Sequence, residues 1–145
     1  MVTITTPDRA KTAGIPTQWK DDIAVTAEGF IVGDNPMVVT EDMTYAANQT
    51  IAARTPVGFD GSGNLVPAVS ATTPAVGFTI IDIVTPASGP LKAAPTYRAG
   101  TFNPALAVWP ASYDTLEKKL EAFRGAPTPT NIIMRPVATM AVPQP

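Results

Sequence analysis

Cysteine and histidine are both absent from this chain. They supply most of the nucleophiles, general bases and transition-metal ligands that operate near neutral pH. Zinc, haem and iron–sulfur sites, and triads built on His or Cys, are therefore excluded, and no disulfide can form. Charge is also scarce: 15% of the residues are charged, against about 25% in an ordinary globular protein. Much of the surface must be Thr, Ser, Ala and backbone. Twelve acidic and ten basic side chains leave a net charge of −2 with no basic block, which removes the electrostatic footprint that nucleic-acid binding needs. The longest uncharged run, Gly61 to Ile81, contains Pro67, Ser70, Thr72, Thr73 and Pro74 and makes a poor membrane span. The opening MVTITTPDRAK has no basic segment followed by an apolar one, so no signal peptide is expected. The expectation is a soluble protein with neither nucleic acid nor membrane as partner.

Proline, by contrast, is plentiful: sixteen in 145 residues, about twice ordinary usage. Long helices are ruled out over most of the chain. The length suits one domain with a modest core.

Composition divides the sequence into zones. Residues 1–22 combine Asp8, Arg9, Lys11, Lys20, Asp21 and Asp22 with Pro7, Gly14 and Pro16 and only scattered apolar residues, which reads as an N-terminal arm. From Ile23 to about Thr44, short alternating pieces (Ile23 and Val25, Phe30 and Val32, Met37 and Val39) are separated by Gly, Asn and Pro, the pattern of short strands and tight turns. Tyr45 to Phe102 is rich in Val, Ile, Thr, Phe and Tyr and is the expected β core. Within it, Thr55–Phe59 and Leu65–Val66 flank Asp60-Gly61-Ser62-Gly63-Asn64 as strand, turn, strand. Ala75–Val84 and Ala93–Phe102 read as two further strands, divided by Pro86, Gly89 and Pro90.

One helix is expected, over about residues 112–124. Asp114 or Ser112 is its N-cap, Tyr113, Leu116, Leu120 and Phe123 form its apolar stripe, and Asp114 and Lys118 make an i, i+4 pair. Arg124-Gly125 closes it. Beyond lies a proline-rich stretch, residues 126–145, that brackets a short strand at Asn131–Met134. The division is thus an arm (1–22), a mainly β domain (23–125) and a tail (126–145).

Sites of chemistry are weak. Asp60 begins an EF-hand-like pattern, but Leu65 stands where the calcium loop needs Gly and Ala71 where it needs Glu; the segment reads as a turn. Glu117 and Glu121 lie one helical turn apart on the wet side of the helix, and the adjacent pairs Asp21-Asp22 and Glu41-Asp42 point to opposite faces of an extended chain. No catalytic residue, metal ligand or cofactor site is expected, and the protein is not expected to be an enzyme. Trp109, between β core and helix, is expected to be largely buried, whereas Trp19 in the arm has nothing nearby in sequence to pack on and suggests docking against a partner.

The run Tyr97-Arg98-Ala99-Gly100-Thr101-Phe102-Asn103, followed by Val108-Trp109-Pro110, Lys118-Lys119 and Ala122-Phe123-Arg124-Gly125, resembles the C-terminal half of the lambda-type bacteriophage head decoration proteins. Gly58-Phe59-Asp60-Gly61 and Ala75-Val76-Gly77-Phe78 resemble that family more loosely, so the likeness spans about residues 45–125. The resemblance implies a β-clip-like domain that trimerises on the outer capsid surface at three-fold and quasi-three-fold positions and stabilises the shell, with the major capsid protein and itself as partners. It implies synthesis in the host cytoplasm and residence on the virion. It assigns structural roles to Gly100, Thr101, Phe102, Trp109, Pro110, Phe123 and Gly125, and an N-terminal arm that orders on the capsid. The apolar arm residues Val2, Ile4, Ile15, Trp19, Ile23 and Val25 are the expected contacts, since an extended arm can add a strand to a sheet edge. The competing reading is a non-catalytic ligand- or carbohydrate-binding module of a phage or cell-surface structure, which would need exposed aromatics on a rigid platform.

Overall fold

The computed structural model describes residues 29–124 and 130–137, and they form a mainly β domain. Nine strands occur in the order β1 (Ile31–Gly33), β2 (Val39–Tyr45), β3 (Thr50–Ile51), β4 (Pro56–Phe59), β5 (Leu65–Pro67), β6 (Gly77–Thr79), β7 (Ile83–Val84), β8 (Leu91–Phe102) and β9 (Asn131–Met134). One helix, α1 (Leu116–Glu121), follows a 3-10 turn at Pro104–Leu106.

The twelve-residue β8 is the axis. It pairs antiparallel with β1, β2 and β6 and parallel with β9. Following the ladders from β8 through β2, β5, β4 and β6 leads back to β8, so the sheet closes into a small barrel. β8 bends twice to do so. Lys92 and Ala93 are squeezed between the pairs Met43–Ala94 and Tyr45–Leu91, with Ala93 at φ 60, and Arg98 is the extra residue between Val39–Ala99 and Thr40–Tyr97. An inserted residue kinks a strand and increases its twist.

Apolar side chains divide between the two faces. Tyr45, Val57, Leu65, Val76 and Ala94 cluster on one, closed off by Ile51 and Ile83 from the two-stranded sheet of β3 and β7. Phe30, Phe78, Phe102, Tyr113, Phe123 and Ile132 cluster on the other, beneath the 3-10 turn and α1. Burying each large side chain contributes about 1.5–3 kcal/mol.

The expected hairpin is present. Val57, Gly58 and Phe59 face Pro67, Val66 and Leu65, and Asp60 Oδ1 accepts from the N–H groups of Ser62 (2.8 Å) and Asn64 (2.9 Å) while Gly63 takes φ 80. Two expectations require correction. Ala75–Val84 is not a single strand: β6 ends at Thr79, whose hydroxyl donates to Ala52 O (2.7 Å), and Asp82 Oδ1 accepts from Ala53 N (2.7 Å), so the chain turns away and reaches the second sheet as β7. The helix is six residues rather than the thirteen of 112–124. Its N-cap is Thr115, whose hydroxyl accepts from Lys118 N, while Ser112 Oγ accepts from Ser70 N at 3.1 Å. Tyr113 and Phe123 are buried from the turns on either side, and Leu116 is exposed. The apolar spacing thus reports three short elements bent around one core. The Asp114–Lys118 pair does form, at 2.6 Å, and holds the Asp114 carboxyl below its ordinary range.

Candidate functional site

The shared motif residues converge where β8 ends. Gly100 has φ 142, a conformation that L side chains rarely adopt, and a Cβ there would lie 2.9 Å from the Phe102 ring. Thr101 and Phe102 are each flanked on both sides, by β1 and by β9. The Thr101 hydroxyl donates to Asn35 O at 3.1 Å and anchors the β1–β2 connection. Phe102 stacks near Phe30 (4.9 Å between centroids) and Phe78 (5.3 Å).

Phe78 is the hub of this cluster. Its ring lies 4.8 Å from Phe123, 5.3 Å from Phe30 and 6.0 Å from Trp109. Phe78 lies in the expected Ala75–Val84 strand, but nothing local marks it as the hub; beside it, Gly77 lets β6 approach β8 so closely that a Cβ there would meet Tyr97 O at 2.5 Å. Trp109 is partly buried at the rim of the cluster. One edge packs on Phe78 and Tyr113, while Nε1–H donates to Pro104 O at 2.7 Å. An indole needs a partner for its N–H when buried, and here the partner lies at the rim, which keeps the ring there too. Pro110 follows in the connection toward α1, and its carbonyl accepts from Tyr113 N. Gly125 and the arm residues Val2, Ile4, Ile15, Trp19, Ile23 and Val25 lie outside the described residues.

Inside the other cluster, Tyr45 OH and Thr96 Oγ1 share a hydrogen bond of 2.6 Å. Burial pushes the Tyr45 hydroxyl pKa up, with the bond to Thr96 opposing it; burial likewise raises that of Tyr113.

The surface offers open depressions. One of about 380 Å³ is lined by Phe30, Arg54, Ile80 and Tyr97, with the Arg54 guanidinium 5.5 Å above the Phe30 ring. Another of about 310 Å³ lies between Ser70, Tyr113, Lys118 and Glu121. Among the described residues no three acidic side chains gather as a metal would require, and Glu117 and Glu121 are exposed as expected. Glu41 turns to Arg98 at 3.3 Å. No described Phe, Tyr or Trp is exposed. Apolar exposure instead concentrates on aliphatic side chains, including Met37 (77%), Val39 (48%) and Ile133 (50%), the last two set beside Ala99 and Thr101 of β8.

Residues 22–128 match the family of bacteriophage lambda head decoration protein D. No curated protein matches the chain.

Proposed function

Because the chain belongs to the bacteriophage lambda head decoration protein family, a family of structural capsid proteins, we propose that it binds as a homotrimer to the outer surface of the mature head, at three-fold and quasi-three-fold sites, and stabilises the shell. The family match carries this reading. The architecture supports it: a weakly charged β domain with its aromatics turned inward and aliphatic side chains left outside suits a static contact between proteins. A carbohydrate-binding module would need an exposed aromatic platform, which the described residues do not provide.

The arm, residues 1–22 with Ile23 and Val25, attaches the domain to the shell in this reading. Val2, Ile4, Ile15, Trp19, Ile23 and Val25 are too sparse to build a core, yet they include alternating pairs suited to strand addition. Fixing an arm costs about 1–2 kcal/mol of backbone entropy per residue, so three arms acting together are needed for firm attachment. Binding of the purified protein to expanded empty heads, imaged for copy number, tests the assignment. Three copies at each three-fold position are expected, and isolated monomers at two-fold positions would refute it. Deletion of residues 1–22 should leave a folded domain with severely weakened head binding.

A further inference from the structure

Among the described residues, β2 is paired fully along one edge only. β8 runs beside it from Val39 to Tyr45, whereas β5 meets its other edge at Tyr45 alone, opposite Leu65. From Val39 to Asp42 every residue is exposed. Pro95 stands opposite Asp42 and has no N–H to donate, so theirs is a non-hydrogen-bonded pair. In such a pair the backbone groups of both residues aim away from each other. Asp42, and by alternation Thr40, therefore turn N–H and C=O outward, along an edge with which no strand among the described residues pairs.

The side chains on that edge choose among occupants. Arg98 neutralises Glu41, while Asp42 has no ion-pair partner among the described residues. Antiparallel pairing with a second β2 centred on Glu41 or on Asp42 would set that carboxylate against its own copy, and like charges directly opposite are destabilising. Acidic residues on an edge strand guard it against such self-association. The first 28 residues of the chain carry Asp8, Asp21, Asp22 and Glu28 against Arg9, Lys11 and Lys20 and offer no excess of positive charge. We propose that the outer edge of β2, Val39–Met43, accepts an extended cationic segment of the shell protein as an added strand. The outward groups of Thr40 and Asp42 supply the main-chain bonds, Asp42 selects a Lys or Arg, and the exposed Met37 and Val39 supply apolar contact. This rests on the head-decoration reading.

The test uses the full chain and expanded empty heads of the phage that encodes it. Asp42→Pro removes the outward N–H and spares every β2–β8 bond, because proline is tolerated where an edge strand's N–H faces outward. Asp42→Lys reverses the charge without touching the backbone. Each variant should bind heads about tenfold more weakly than the unaltered protein and melt at the same temperature. If Asp42→Pro fails to fold, Asp42→Lys alone decides. Unaltered protein that binds heads alongside variants that bind equally well overturns the edge assignment and leaves head decoration standing. Unaltered protein that does not bind heads overturns the decoration reading, and this proposal with it. Variants that lose self-association in free solution but keep head binding would assign the edge to a second copy and overturn the proposal.

Discussion

Two residues show how narrow the tolerances are. Gly77 is glycine because β6 runs so close to β8 that a Cβ would sit 2.5 Å from Tyr97 O and 2.9 Å from the Thr96 methyl. Backbone cannot yield as a flexible side chain would, so Gly77→Ala should cost about 1–3 kcal/mol, read as a lowered urea midpoint with an unchanged slope. Trp109 is held by packing on one edge and by a hydrogen bond at the other. Because it is partly buried, Trp109→Ala should cost about 2–3 kcal/mol, less than full enclosure would imply. Trp109→Phe keeps most of the packing and loses the bond to Pro104 O, for about 1 kcal/mol. A loss under about 0.5 kcal/mol in the alanine variant would make Trp109 a surface residue.

Among the elements, β9 is short but doubly anchored. It runs parallel beside residues 99–102 of β8, and its four residues alternate in exposure, with Ile132 buried and Ile133 half-exposed. Ile132→Ala should therefore cost about 2–4 kcal/mol, whereas Ile133→Ala should cost less than about 1 kcal/mol. Equal costs in chemical denaturation would mean that the strand does not hold this register. α1 contributes differently. With only six residues and no buried side chain of its own, it is too short to be stable alone and serves to bring Tyr113 and Phe123 around to the same cluster.

At the level of the whole molecule, stability should depend on pH at the alkaline end. Burial raises the pKa of Tyr45 and Tyr113 above the ordinary value of 10.0, so the folded state holds these protons more tightly than the unfolded chain does. The stabilisation is fully present below pH 10 and is lost as pH rises through the higher folded-state values. Urea unfolding followed from about pH 8 to pH 11.5 should show a falling midpoint above about pH 10. Tyr45→Phe should remove part of that fall. A flat profile would mean that neither hydroxyl is kept from water in the folded state.

Several features were legible in the residues alone. The abundance of proline ruled out long helices over most of the chain, because this follows from which side chains exist and not from where they lie. The Asp60 turn and the Asn131–Met134 strand were likewise legible, since turn chemistry and short apolar runs bounded by Pro are local. The string from Tyr97 to Gly125 carried the family likeness, and its described members meet around Phe78 and Phe102. Tertiary structure decided what depends on partners distant in the chain. The Ala75–Val84 run breaks because Ala52 and Ala53 capture Thr79 and Asp82, and the helical spacing from Tyr113 to Phe123 shortens to α1 because both end residues turn into one aromatic cluster. The edge of β2 that no described strand covers was invisible for the same reason: the residues Val39–Tyr45 do not tell which backbone groups face outward until the pairing with Pro95 is known.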